Sequence, residues 1–439
     1  MAGHRWRRQP APGLLAGTLL LGALSACGQD GTAWRTRELA SWPACYTEGR
    51  VPLLSGPDLQ IAAAGRGFAA AWIQCEGSRT NVWTSRCQSG DWTAPQPVGT
   101  STADRYPALA INASGESTAL WVSGGVSGGG PMWEARLSPS RGWSAPAQID
   151  AGSGSSTRFP RVFMRADGDV VAAWSERADP LSLLRARRRV GGRWEDHEAL
   201  PVDVAAGSFH PLLDADAYGN VRAVWADGRG SWTARYRFGA GWAAPDLVEP
   251  RGGAGALDVS GNGDALVAWL GAAGVLVQRF ERDTGWQPPE RVHLGSSAID
   301  TVSVALGRLG GVVAWGGSGP TGPAVWGSRR PSNGSWESAR LLGPGYFPTA
   351  SIDDAGHGLV GWTDTVGDVD HARLVAVTFS PAAGWGPAET IGSVPMRHVD
   401  RAVAIDAGVG VVLFADHPMP TVPPDVVTLT AAFTAPCGP

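Results

Sequence analysis

The chain is poor in charge. Asp, Glu, Lys and Arg make up 17% of its 439 residues, and the formal net charge is −4. It therefore lacks the basic footprint that holds nucleic acid and the polybasic run that holds anionic lipid. Aromatic residues other than tryptophan are scarce, with Tyr 5 and Phe 10 beside Trp 21. Sequence signatures of chemistry are missing as well. No GxSxG, HExxH or phosphate-binding glycine loop occurs, nor any EF-hand-like or RTX-like calcium spacing. The eight histidines are scattered singly. No cofactor, no metal and no nucleic-acid partner is expected on these grounds.

Glycine is abundant, at 61 residues, and hydrophobic residues make up 43%. Many glycines mean many tight turns, as in all-β folds built of short strands. The hydrophobic share belongs to a packed chain rather than a disordered one. The length exceeds what one compact core usually needs, so the choice lies between several domains and one repeat architecture.

Residues 1–26 read as an export signal. His4, Arg5, Arg7 and Arg8 form a basic start, and Ala11 to Ala23 form an apolar run too short for a comfortable membrane span. Loss of the three arginines takes the net charge from −4 to −7. The run ends in Leu24-Ser25-Ala26-Cys27. This resembles the lipobox of bacterial lipoproteins, and the resemblance implies that Cys27 is lipidated and becomes the new N-terminus. The implied membrane contact is through that lipid, since several acyl chains hold where one binds marginally. It also implies export to the cell envelope, and with Gly28 after the cysteine, the outer membrane if the source is Gram-negative. Ordinary secretion and a twin-arginine signal are the alternatives. Residues 27–40 are expected to be the lipidated end and a polar tether, and 41–439 the folded domain.

Within 41–439 one module recurs. An alternating strand, often after an aromatic–Pro pair, leads to a Gly turn and a small-residue apolar strand ending in Trp. A variable loop, another alternating strand and a Gly-Trp pair follow. The first Trp falls at 72, 121, 174, 225, 269, 315 and 362, with Phe414 in the eighth place, and the second at 92, 143, 194, 242, 286, 336 and 385. Repeats of about 40–50 residues with four short strands are the blades of an all-β propeller. Eight blades are expected, with seven and a degenerate tail as the alternative. The eighth repeat has only three strands, and the stretch 41–54 is expected to supply its missing outer strand. The first hairpin, as in PLLDADAYGNVRAVW, resembles NHL-type propeller repeats. The Gly-Trp turn is loosely similar to the Asp-box of sialidase-like propellers, although Ser89-Gly90-Asp91-Trp92 and Ser140-Arg141-Gly142-Trp143 reproduce it only in part.

Apart from Cys27, four cysteines remain, an even number suited to an oxidising compartment. Of three connectivities, Cys45–Cys437 is expected because it would clamp the ring. Cys75–Cys87 follows by elimination, with free thiols as the alternative.

The short, uniform turns share one face of the ring, here the turn face. The longer, variable loops share the other, the loop face, where function is usually placed. Two rings of residues converge there. The first is the entry to each inner strand, including Arg105, Tyr106, Arg158, Phe159, His210 and Phe347. It is read either as an aromatic and cationic rim or as packing between blades. The second lies two residues past the blade Trp, at Glu176, Asp227, Asp364 and Asp416. These acids either orient a ligand or are satisfied by loop backbone amides. The expected function is a non-catalytic module that binds a glycan, a peptide or a protein on this face. A sialidase-like glycoside hydrolase is the alternative, and would need paired carboxylates or an Arg cluster with a Tyr nucleophile.

Overall fold

The structure, a computed structural model, describes residues 34–43 and 59–437, apart from 77–78, 89, 102–106, 124–129, 151–155, 179–180, 205–209, 228, 250–253, 272–273, 295–300, 333, 365–370, 396–397, 418–425 and 436. Cys27, Cys45, Arg105 and Tyr106 lie outside these residues. The described strands form eight antiparallel sheets. Each inner strand packs beside the inner strand of the next sheet, and Leu59–Ala64 of the first meets His398–Asp406 of the last. The fold is an eight-bladed β-propeller. Blades 1 to 7 span 59–101, 108–148, 156–202, 212–249, 254–294, 301–344 and 346–395. Blade 8 joins 398–433 to an N-terminal strand, β1 (Arg35–Pro43).

The second strand of each blade is a near-continuous apolar run because both its faces are covered by neighbouring blades. Trp72, Trp121, Trp174, Trp225, Trp269, Trp315 and Trp362 are all buried there, and Phe414 takes the same place in blade 8. Several of these rings fit only because a glycine faces them in the outer strand of the preceding blade. A Cβ at Gly99 would come within 2.1 Å of the Trp121 ring, one at Gly343 within 3.0 Å of Trp362, and one at Gly392 within 3.1 Å of Phe414.

An inner strand has no ladder partner on its channel edge, so its amides need other acceptors. Side chains of the preceding blade supply them. Asp214 Oδ2 accepts from Val259 N at 2.6 Å, Asp258 Oδ2 from Leu306 N at 2.6 Å, and Ser303 Oγ from Ala350 N at 3.0 Å. Ser351 Oγ accepts from Ile405 N at 3.2 Å, and Asp406 Oδ2 accepts from Arg66 N at 2.5 Å across the closure.

The closing strand differs in position from the expectation. Residues 41–54 were expected to latch the ring, yet β1 begins at Arg35 and pairs with Val426–Phe433. Six residues of the expected tether are therefore strand. A bulge between Glu38 and Ala40 shifts the register. It breaks the alternation by which a half-buried strand is recognised, although Leu39 and Trp42 are buried.

The cysteine pairing is also corrected. Cys87 is bonded to Cys437, with Cα atoms 5.8 Å apart and 350 residues between them. Neither Cys45–Cys437 nor Cys75–Cys87 is compatible with this. Cys75 is paired in register with Thr80 and Cys87 with Phe68, at opposite ends of one hairpin. Seven residues of strand separate those ends, about 23 Å, far beyond disulfide reach. Ring closure instead brings the chain after the last strand against blade 1, where Gly90 N donates to Cys437 O at 2.5 Å. The ring is thus closed twice, by a strand and by a covalent bond.

Candidate functional site

The loop face carries two similar stations at the entries to inner strands. In blade 3 the strand Ser156–Met164 has a bulge between Arg158 and Arg161. Phe159 lies within it at φ 51°, and its ring meets that of the exposed His210 of blade 4 at 4.8 Å. In blade 7 the strand Tyr346–Ile352 has a bulge between Tyr346 and Thr349. Phe347 lies there at φ 53° and is 51% exposed, with the Arg401 guanidinium of blade 8 over its ring at 5.9 Å. Arg401 also donates to Phe347 O, and to Thr363 Oγ1 at 2.9 Å. A proline follows each aromatic, at Pro160 and Pro348. A bulky residue in the left-handed region is strained by about 1–3 kcal/mol, and cross-blade contacts hold it there. Blades 3 and 7 are four apart in a ring of eight, so the stations recur half a turn apart. Arg158 is half-buried at the first, and its carbonyl accepts from Ser175 Oγ at 3.3 Å.

The crown of acids is closed by arginines rather than by loop amides alone. Glu176 takes a two-pronged bond from Arg185, whose Nε and Nη2 donate at 3.0 and 3.2 Å. The buried Asp364 accepts from Arg373 Nη2 on the adjacent strand. Asp227 accepts from the backbone N of Arg229 at 2.7 Å, from its Nε at 3.0 Å and from its Nη2 at 2.7 Å. Desolvation pushes the Asp227 carboxyl up, but the bonds from Arg229 outweigh it and hold the group below the usual carboxylate range. Asp416 lies on Val409–His417 opposite Thr428, at the corresponding end of blade 8. Each described carboxylate of the crown is therefore tied within its own blade. Among the described residues, no three His, Cys, Asp or Glu side chains gather as a metal site.

The sequence reading missed a pair of acids at the channel. Asp214 and Asp258 occupy the same repeat position in the inner strands of blades 4 and 5 and are hydrogen-bonded to each other. Enclosure by protein pushes both carboxyls up, and the charge and hydrogen bond of Asp214 push Asp258 further, well above the ordinary value. Arg161 of blade 3 feels the same enclosure, which lowers it, and the Asp214 charge, which raises it. The signal in the sequence was a lone acid inside each of LLDA and ALDV. These strands are read as half-buried, where an acid is unexpected without a partner.

The chain matches no family model and no curated protein. Its likeness is to solved structures of low sequence identity. One is a puromycin hydrolase, at 14% identity over 87% of this chain, with a TM-score of 0.50. This chain spans 62% of the hydrolase's length. Another is the polysaccharide lyase Uly1, at 10% identity over 92% of this chain and 98% of the lyase, with a TM-score of 0.48. A third is virginiamycin B lyase from Staphylococcus aureus, at 9% identity over 90% of this chain and 99% of that one, with a TM-score of 0.39. At 14% identity the likeness to the hydrolase speaks for the fold alone, since one fold hosts unrelated functions.

Proposed function

We propose that the protein is an exported propeller, anchored through lipid on Cys27, that acts as a non-catalytic binding module for a glycan, a peptide or a protein. The loop face is its contact surface, and Phe159 with His210 and Phe347 with Arg401 are its anchors. The paired stations carry this reading. A ring serving only to pack between blades gains by being covered. Phe347 is instead half exposed and held in a strained conformation by a neighbouring cation. Rigid, exposed aromatic faces offer contact area with little entropy loss on binding. Arg105, Tyr106 and Arg158 extend the same rim. Asp227 and Asp364 orient the ligand through the arginines they hold, and Asp416 completes the ring of acids. The arginine-tied crown supports binding over glycoside hydrolysis, because Glu176, Asp227 and Asp364 are already engaged by Arg185, Arg229 and Arg373 and are not left as an open pair of carboxylates flanking a scissile bond.

The test is Phe347→Gly, alone and with Phe159→Gly. Glycine relieves the left-handed strain while removing the ring. The expected result is a melting temperature at or above that of the unaltered chain, with loss of ligands captured from glycan and peptide arrays. A lowered melting temperature with array binding intact would assign both rings to packing and refute the reading. Membrane fractionation of Cys27→Ser tests the anchor, and retention in the membrane fraction would refute it.

A further inference from the structure

On the turn face, blades 5 and 6 part to form a cleft of about 650 Å³, within the size range of small-molecule sites. It opens where blade 6 departs from the repeat. Five of the blades turn between their first two strands through a five-residue loop closed by two backbone bonds, such as Ser260 N to Asp264 O at 2.9 Å and Gly263 N to Ser260 O at 2.9 Å in blade 5. Blade 6, like blades 1 and 8 but unlike its neighbours 5 and 7, makes this turn with two residues, Arg308 and Leu309, since Gly307 already pairs with Gly310. Its second Trp also stands apart. In blades 1 to 5 that Trp belongs to a two-residue strand paired to the third strand, such as Gly285–Trp286. Trp336 of blade 6 lies in a stretch without strand pairing.

Arg330 lines this cleft with Arg279, Arg282 and Arg308. Its place in the repeat is informative. The residue after the second Trp donates to a third-strand carbonyl, that of Arg279 in blade 5 and of Arg329 in blade 6. The next residue along the third strand is then Phe280 in blade 5 and Arg330 in blade 6. The same rule gives Arg189 in blade 3, Tyr236 in blade 4 and Cys87 in blade 1. This position packs under the second Trp, as the edge-on contacts of Tyr236 with Trp242 and Phe280 with Trp286 illustrate.

Two blades thus put a guanidinium where others put a ring, Leu137 in blade 2 or the disulfide-bonded Cys87 in blade 1. Arg189 has a counter-ion. Its Nη1 donates to Glu134 of blade 2, which is 1% exposed and also accepts from Trp194 Nε1 at 2.7 Å. Glu134 lies two residues before Arg136, and the corresponding residue of blade 5 is Val277, fully buried. No acid therefore stands where Arg330 needs one. The Arg330 side chain makes no hydrogen bond or ion pair among the described residues, its Nε is cut off from solvent and from any acceptor, and the indole N–H of Trp336 is in the same condition. Arg279 is already engaged by Glu281 at 2.6 Å and Glu290 at 3.2 Å. The lining carries four arginines against Asp264, Glu281 and Asp283, an excess of one positive charge.

We propose that this cleft binds the oxyanion group of a small polar molecule, with the Arg330 guanidinium as its receptor. The bound group takes the role that Glu134 plays for Arg189. Burial depresses the Arg330 guanidinium and Arg279 depresses it further, against partial support from Glu290 and Glu281. An anion in the cleft reverses that penalty, because a desolvated cation gains most from a charged acceptor. Carboxylate, sulfate and phosphate share the required chemistry.

Titration calorimetry on the purified full chain, with glucuronate, inorganic sulfate and inorganic phosphate as separate probes, tests the proposal and ranks the three sources. At least one probe should bind with one-to-one stoichiometry. Arg330→Gln should weaken it about tenfold or more, as expected for loss of a charge-assisted bond. Arg141→Gln, an exposed arginine on the same face in blade 2, should leave it within about twofold, since an exposed charge that distant is screened. Val277→Glu supplies the missing acid from within, so it should abolish binding without lowering the melting temperature. The absence of saturable binding by all three probes would overturn the proposal. So would equal affinity in Arg330→Gln, or a melting temperature for Arg330→Gln well below that of the unaltered chain, which would make Arg330 a structural cation. These outcomes are independent of the loop-face anchors, which lie at the other end of the ring.

Discussion

Replacing Asp258 by Asn should alter how stability depends on pH. In the folded protein the Asp258 carboxyl is raised well above its ordinary value of 3.8, chiefly by enclosure and then by Asp214. The native state therefore keeps a proton that the unfolded chain gives up. Stability from this proton is present below about pH 3.8 and is lost as pH rises through the folded value. Each such proton gives a slope of about 1.4 kcal/mol per pH unit across that window. Asparagine keeps an oxygen for Leu306 N and offers an N–H to Asp214, so neither the bridge between blades nor the contact within the pair is lost. Denaturant unfolding of the two proteins from pH 4 to 8 is the assay. The curves should nearly meet at pH 4 and diverge upward, with Asp258→Asn the more stable at pH 8. Asp258→Ala should be weaker than Asp258→Asn at every pH by about 1–3 kcal/mol, because Leu306 N loses its acceptor. Parallel curves for Asp258→Asn and the unaltered chain would refute the raised carboxyl, and an Asp258→Ala as stable as Asp258→Asn would refute the bridge.

Two further perturbations follow from packing and closure. Gly99→Ala should cost about 1–3 kcal/mol or more by overpacking against the Trp121 ring, read as a lowered denaturation midpoint, whereas the same change at the open Gly142 turn should cost through its φ of 76° alone. Peptide mapping without reduction should recover a Cys87–Cys437 cross-link, and the double replacement by Ala should lower stability by about 2–4 kcal/mol while leaving the strand content measured by circular dichroism unchanged.

The repeat was legible from the sequence because its determinants are local. Strand alternation, the Gly turn and a Trp at a fixed offset are all read within one blade, and they returned eight blades and the buried Trp series. The loop-face candidates were legible as positions but not as partnerships. Asp364 with Arg373 and Asp227 with Arg229 could be suspected from register, but Phe347 with Arg401 and Phe159 with His210 join different blades, and no pattern within a blade encodes them. The acids Asp214 and Asp258 are 44 residues apart and meet only because blades 4 and 5 stand side by side.

Closure divides along the same line. That a strand was missing from blade 8 could be counted in the sequence. Which residues fill it depended on a bulge at Glu38 to Ala40 that blurs the alternation, and on pairing with Val426–Phe433 almost 400 residues away. The Cys87–Cys437 bond and the unpaired Arg330 belong to the tertiary structure for the same reason. A side chain's partner there is chosen by the neighbouring blade. The sequence of one blade sets what each position is, and the ring decides what it meets.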